Sequence, residues 1–190
     1  MDFDEVIIKR KSIRSFEKTQ VDDRILKSLV KDATLAPSSQ NKQPWRFYIV
    51  KSKTKRNNVA AILRNSLKLW KSEINKLPRP IKKEATYFFS NMGSCPHIIF
   101  IFTKKEYKKR DSFIMSVSAA AQNIILSATN KGLATCWVGS FRAFQDKVKK
   151  IVSAKKDEEL VASILVGYQK KGFVPRARTK KKLNALVKFV

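Results

Sequence analysis

The chain has 190 residues, of which 43% are apolar, and it carries a formal net charge of +26. This length and apolar content suit one domain over residues 1–190 with a core of its own. No apolar run approaches the ~18 residues that a membrane span needs, and the acidic N-terminus does not resemble an export signal. We therefore expect a cytoplasmic domain with no membrane partner.

Several kinds of site are excluded by the counts of single residue types. Cys95 and Cys136 lie far apart and His97 is the one histidine, which leaves no cluster for a transition metal. We predict that both thiols are reduced and buried. Five glycines exclude a dinucleotide fingerprint or a phosphate loop. No Ser-His-acid triad is recognisable, so in an enzyme a cofactor would supply the chemistry.

The positive charge is larger than one phosphate ligand requires. Such a field attracts polyanions without sequence preference and steers anionic ligands. The lysines are spread along the whole chain, whereas a nucleic-acid-binding module concentrates its basic residues on one element. This spread favours a solvated surface, with nonspecific attraction of polyanions as its consequence.

Two helices and a strand are predicted in the first part of the chain. The first helix covers residues 2–9. The second takes Asp22 or Asp23 as its N-cap and is ended by Pro37. Residues 46–50 are predicted to form a strand.

Residues 54–91 have a helical composition interrupted by Pro78 and Pro80, so individual helices are not placed there. Beyond them a strand, a helix, a strand, a helix and a strand are predicted over residues 98–102, 112–131, 134–138, 141–152 and 160–166. Residues 170–190 form a basic tail with an apolar end. The alternation predicts an α+β or α/β sandwich with a sheet between helical layers.

Two N-terminal segments carry the chemistry. Residues 36–47, APSSQNKQPWRF, form a polar loop that leads into a strand, where Trp45 is expected in the core. Residues 9–16, KRKSIRSF, concentrate cations around a hydroxyl, which suits a phosphate. Read alone, the first segment is an ordinary loop and the second is solvated surface charge.

Together with three later segments, these residues resemble the nitroreductase family of FMN enzymes. The later segments are the helix and strand over residues 118–139, with Gln122-Asn123 and the GLATCW run, then residues 165–168 (LVGY) and 175–178 (PRAR). The resemblance implies an α+β fold, a three-layer sandwich whose central, mostly antiparallel sheet lies between helices, with the flavin at a dimer interface.

The resemblance also implies a set of cofactor-binding residues. Those expected at the FMN phosphate are Lys11, Ser12, Arg176 and Arg178. Those expected at the N1/O2 edge of the flavin are Arg10 and Arg14, whose charge would favour reduction. Those expected from the second subunit are Pro37, Ser38, Ser39 and Asn41, with Gln40 in place of the family's histidine or threonine. Those expected to offer backbone N–H groups to N5 and O4 are Gly139 and Ser140.

Four phenylalanines are candidates for the flavin face, although core packing is favoured for each: Phe88, Phe89, Phe113 and Phe141.

The implied function is an FMN-dependent NAD(P)H oxidoreductase. Hydride would pass from NAD(P)H to flavin N5 and then, by a ping-pong mechanism, to a quinone or nitroaromatic acceptor. The partner is expected to be a second copy of the chain, with the apolar tail as a candidate exchanged arm. Two alternatives stay open: a specialised relative (a dehalogenase or a cofactor-biosynthesis enzyme), and a non-enzymatic basic protein on the same fold that binds nucleic acid or another polyanion.

Overall fold

A computed structural model describes residues 1–106 and 109–190. At its centre is a four-stranded antiparallel sheet with the order β1-β2-β4-β3. The strands are β1 (Trp45–Val50), β2 (His97–Lys104), β3 (Ala134–Trp137) and β4 (Glu158–Gly167). The four predicted strands are confirmed, each to within three residues at either end.

Seven α-helices are present in the described residues. They are α1 (Phe3–Lys9), α2 (Asp23–Ala33), α3 (Lys53–Ser66), α4 (Lys71–Asn75), α5 (Arg79–Asn91), α6 (Arg110–Asn130) and α7 (Gln145–Val152). Short 3-10 turns occur at Ser39–Asn41, Met92–Ser94, Gly139–Phe144 and Leu183–Ala185.

The helices cover both faces of the sheet, which confirms the predicted three-layer α+β sandwich. Alternate residues of β2 enter two separate cores because side chains of a strand point to opposite faces. Phe100 and Phe102 pack with α3, α5 and α7 on one face. Ile99 and Ile101 pack with α2 and α6 on the other. Strand β2 is buried from His97 to Thr103, as its continuous apolar run predicts.

Helix boundaries differ from the predictions at two places. Helix α2 is capped by Asp22, as predicted, but it ends at Ala33 and not at Pro37. The residues between make single turns: the N–H groups of Thr34 and Ala36 bond to carbonyls three or four residues back. The helix predicted over residues 141–152 is divided, because Gly139–Phe144 forms a 3-10 turn before α7 begins.

By length and composition, α6 is the one helix in the described residues that is apolar enough to cross a membrane. Its Val117, Ala121 and Ile124 are fully buried against α2 and the sheet. The helix is therefore a core element of the sandwich.

Candidate active site

A cavity of about 300 Å³ lies between α4, α5 and the end of β3. Its walls are mainly apolar and aromatic, and its polar groups are few, as is common in cofactor sites. Its lining residues are Arg14, Trp70, Glu73, Ile74, Leu77, Ala85, Phe88, Phe89, Cys136, Trp137, Val138, Gly139, Ser140 and Arg176. Four of the predicted site residues thus meet here: Arg14, Gly139, Ser140 and Arg176.

Arg14 is positioned by backbone bonds on either side of it. The N–H of Ile13 donates to the carbonyl of Thr135 on β3 at 2.8 Å, and the N–H of Phe16 donates to the carbonyl of Gly93 at 2.8 Å. This segment has no helix or strand of its own and is fixed by the elements that it crosses. The half-buried Arg14 side chain is directed into the cavity.

The connection from α5 to β2 is a strained turn beside Arg14. Met92, Gly93 and Ser94 have φ angles of 59°, 61° and 65°. This is the left-handed conformation, which residues other than glycine adopt only at a cost in free energy. A Cβ at residue 93 would overlap the carbonyl oxygen of Arg14. Only glycine allows the two backbones to approach this closely.

Arg176 reaches the cavity from the C-terminal segment and is held there by α5. Its Nε donates to a carboxylate oxygen of Glu84 at 3.1 Å, and its Nη2 donates to the carbonyl of Ile81 at 3.4 Å. The other carboxylate oxygen of Glu84 is buried and has no hydrogen-bond partner in the described residues. A buried acceptor without a partner costs stability in a folded protein.

Arg178, in the same C-terminal segment as Arg176, lies next to Arg10. The Arg178 guanidinium donates a hydrogen bond to the backbone carbonyl of Arg10. Burial lowers the pKa of Arg10, and the nearby charge of Arg178 lowers it further. Two like charges held together favour a bound anion between or beside them.

Comparison with known proteins identifies the family. The sequence profile of the nitroreductase family matches residues 7–168. The chain belongs to the nitroreductase family. It is 24% identical over 198 residues to a 4-nitrobenzoate reductase of Nocardioides sp. strain LMS-CY, covering 88% of this chain and 80% of that protein.

Two further matches are a relative with a different named activity and a solved structure with bound FMN. An iodotyrosine deiodinase of Hydra vulgaris is 23% identical, covering 95% of this chain and 70% of the relative. The crystal structure of a nitroreductase with bound FMN from Bacteroides fragilis NCTC 9343 superposes with a TM-score of 0.75 at 17% identity, covering 98% of this chain and 97% of that one. The nitroreductase fold is therefore shown.

The remaining predicted site residues lie outside the cavity. Lys11 lines a separate space of about 110 Å³ with Lys9 and Gly132. Ser12 is exposed, and it forms an isolated β-bridge with Thr135. Neither residue shares the cavity with Arg14, so their contact with a phosphate stays a prediction.

The loop with Pro37, Ser38, Ser39 and Asn41 also lies away from the cavity of its own chain. The N–H of Ser39 donates to the Ser116 hydroxyl of α6 at 3.1 Å. Asn41 has a φ of 52°, in the left-handed region. An expected contribution from a second subunit accounts for this separation, and it stays a prediction.

Neither thiol nor the one imidazole of the chain offers acid–base chemistry at neutral pH. Cys95 and Cys136 are both free and buried, as predicted. Burial raises the pKa of Cys136, which lines the cavity, to about 11. Burial lowers the pKa of His97 to about 4, and its Nε2 accepts the N–H of Val21 at 2.9 Å. At neutral pH the thiols are protonated and the imidazole is neutral.

Sequence reasoning missed the α4 wall of the cavity. Trp70, Glu73 and Leu77 line it, but they lie in the segment where helices were not placed. The one sequence feature that could have indicated this wall was Trp70, a large aromatic residue in a lysine-rich stretch. Phe88 and Phe89 also line the cavity and belong to the core packing.

Proposed function

We propose that the chain is an FMN-dependent NAD(P)H oxidoreductase. The observation that carries the proposal is the meeting of Arg14, Gly139, Ser140 and Arg176 in one apolar-walled cavity. These residues come from three distant parts of the chain, and each was expected at FMN from the family resemblance alone. Family membership and the FMN-bound neighbour support the same cofactor.

The donor set fits FMN. A flat, largely apolar ring suits the aromatic and aliphatic walls, and its polar edge suits a guanidinium and backbone N–H groups. Two cations of the C-terminal segment suit a phosphate dianion: Arg176 and Arg178.

Each group has a separate task in this proposal. When bound, FMN supplies the hydride chemistry between NAD(P)H and a second substrate. Arg14, with Arg10, would supply positive charge at the ring edge and so favour reduction of the cofactor. The backbone N–H groups of Gly139 and Ser140 would orient the ring, and Arg176 and Arg178 would hold the phosphate together with Lys11 and Ser12. Cys136 and His97 take no part in proton transfer. The proton sources that remain are the cofactor, water and the carboxyl group of Glu73, which lines the cavity.

We propose a homodimer as the working unit. Pro37, Ser38, Ser39 and Asn41 do not reach the cavity of their own chain, so the corresponding loop of a second copy would complete it. The C-terminal tail exposes apolar side chains that need a partner: Leu183 is 71% exposed and Phe189 is 95% exposed. An exchanged tail would bury them.

Two substrate classes are supported by relatives. The 4-nitrobenzoate reductase supports a nitroaromatic acceptor, and quinones share its electron-poor character. The iodotyrosine deiodinase match supports a second candidate, a reductive dehalogenase. Trp70 and Phe89 provide walls that suit a flat aromatic substrate of either class.

The visible absorption spectrum of the purified protein tests the proposal. A yellow protein that is bleached by NADPH without oxygen is expected. Adding a nitroaromatic or a halotyrosine to the reduced protein then identifies the acceptor class by the return of colour. A protein that stays colourless with added FMN would contradict the proposal and leave a non-enzymatic basic protein on this fold.

A further inference from the structure

Two adjacent clefts on the outer side of α3 and α5 are lined by cations and by no carboxylate. The first, of about 390 Å³, contains Lys18, Lys53, Arg56 and Arg64. The second, of about 500 Å³, contains Arg79, Lys82 and Lys83. We call these seven residues the basic strip. The nitroreductase chemistry proposed above makes no use of them.

Hydrogen bonds join the two clefts into one surface. The guanidinium of Arg64 in the first cleft donates from Nε and Nη2 to the carbonyl of Ser90, which lines the second, at 3.2 and 3.1 Å. The hydroxyl groups of Tyr87 and Ser94, one from each cleft, lie 3.0 Å apart. The two clefts are therefore direct neighbours on the surface.

The charge of the basic strip is not compensated. Within the described part of the chain, none of its seven side chains lies within 4.0 Å of a carboxylate. Arg56 is fixed by a backbone group, donating to the carbonyl of Lys51 at 2.6 Å. Helix α5 has one acidic residue, Glu84, and it is paired with Arg176 at the other site. Cations without a carboxylate partner attract phosphates.

We propose that the basic strip binds the backbone of a single-stranded nucleic acid. Seven cations along two connected clefts exceed what one phosphate needs, and they suit a chain of phosphates. Between them lies Tyr87, a residue that is 37% exposed, and an exposed aromatic side chain provides a stacking surface for a base. Uncharged hydrogen-bonding side chains line the same clefts, among them Asn57, Asn91 and Thr86.

Other anionic partners fit the strip less well. A membrane surface requires apolar side chains beside the cations, whereas the apolar residues of the first cleft, such as Ala60 and Met92, are buried. An acidic protein would leave Tyr87 without a base to stack on. Duplex DNA presents its bases inside the helix and offers none to that ring.

Two charge-matched variants test the proposal with a fluorescent oligothymidylate of about 12 nucleotides. In the strip variant, Lys82→Gln and Lys83→Gln remove two cations. In the control variant, Lys27→Gln and Lys31→Gln remove two exposed cations from α2, on the opposite face of the sheet. Fluorescence anisotropy at about 50 mM salt is expected to show about tenfold weaker binding for the strip variant and less than about twofold for the control.

The salt dependence gives a second readout. Loss of two phosphate contacts should make the slope of log K against log salt shallower by about 1.4, at about 0.7 per contact for a single strand. The control variant should keep the original slope. Tyr87→Ala should weaken binding by about tenfold, while Tyr87→Phe, which keeps the ring, should not.

Four outcomes would overturn the proposal. Equal losses in both charge variants would mean that the overall field binds the oligonucleotide. Duplex DNA binding as tightly as the single strand would remove the role of exposed bases. Displacement by polyglutamate as effective as by unlabelled oligonucleotide would indicate an acidic polypeptide partner. Binding to phosphatidylserine vesicles without affinity for the oligonucleotide would indicate a membrane.

Discussion

Gly93 packs directly against the backbone of Arg14: a Cβ at residue 93 would lie 2.8 Å from the Arg14 carbonyl carbon and would overlap its oxygen. The strained turn at residues 92–94 is therefore packed directly against the residue whose guanidinium lines the cavity. Any side chain at residue 93 must move Arg14 or the turn.

Gly93→Ala is expected to weaken FMN binding by about tenfold, because the Arg14 segment has to shift. It should also lower the free energy of unfolding by about 2 kcal/mol. Titration of the apoprotein with FMN and urea unfolding measure the two effects. The control is Gly132→Ala, where φ is also positive at 71° but a Cβ meets nothing within 4 Å. Equal FMN affinity in the two variants would disprove the link.

Replacing both Arg176 and Arg178 with alanine should raise the Kd of FMN by about a hundredfold, since each would lose a charge-assisted bond to the phosphate. The fold should persist because both residues follow the last core strand. Lys180→Ala with Lys181→Ala removes the same charge from the same segment and should leave the Kd near that of the parent. A double-arginine variant with unchanged FMN affinity would remove these residues from the site.

Arg14→Ala should slow the reduction of the bound cofactor by about tenfold to a hundredfold, because positive charge is lost where negative charge develops. Its FMN affinity should change less. Stopped-flow bleaching by NADPH without oxygen and an FMN titration separate the two effects. Arg14→Lys keeps the charge and should recover most of the rate. A defect confined to binding would contradict the role given to Arg14.

Deleting residues 183–190 should convert the expected dimer into monomers, because the exposed apolar tail loses its contacts. Light scattering after gel filtration measures the mass. FMN should be lost with the dimer, since the loop with Ser38 and Asn41 would then be missing from the cavity. Exchanging Lys180, Lys181 and Lys182 for glutamine controls for the charge of the tail. A truncated protein that stays dimeric and yellow would refute the exchanged arm.

Stability should fall between pH 7 and pH 5 because of His97. Burial lowers its pKa in the folded state from 6.5 to about 4, so the unfolded chain binds the proton more tightly. The contribution of His97 to the free energy of unfolding is fully present above pH 6.5 and is lost as the pH falls toward 4. Between pH 7 and pH 5 the loss is about 2 kcal/mol. Urea unfolding at both pH values measures it. His97→Gln should abolish this part of the pH dependence, and an unchanged pH dependence in that variant would assign it to other groups.

The core of the fold was predictable because its signals are local. The apolar run at Ile98–Phe102 specifies a strand buried on both faces, and the stripe from Val117 to Ala128 specifies a buried helix face. Residue type left Asp22 and Asp23 as the two candidates for the N-cap of α2, and the structure shows that Asp22 is the cap. The sheet order was not predictable, because it depends on pairings between distant strands.

The helices of residues 54–91 were missed because two prolines were interpreted as interruptions. Pro78 is in fact the N-cap of α5, and Pro80 lies in its first turn, where the missing N–H costs nothing. The prolines therefore mark the beginning of a helix. The pairing of Arg176 with Glu84 joins residues that are 92 positions apart, and no local sequence pattern predicts it.

The bonds that hold Arg14 also determine when the site can form. Ile13 bonds to Thr135, and Phe16 bonds to Gly93, so this segment gains its shape only after distant parts of the chain have met. Contacts of such high sequence separation are slow to form. During refolding, helical signal should therefore recover first, and the capacity to take up cofactor should mark the end of folding.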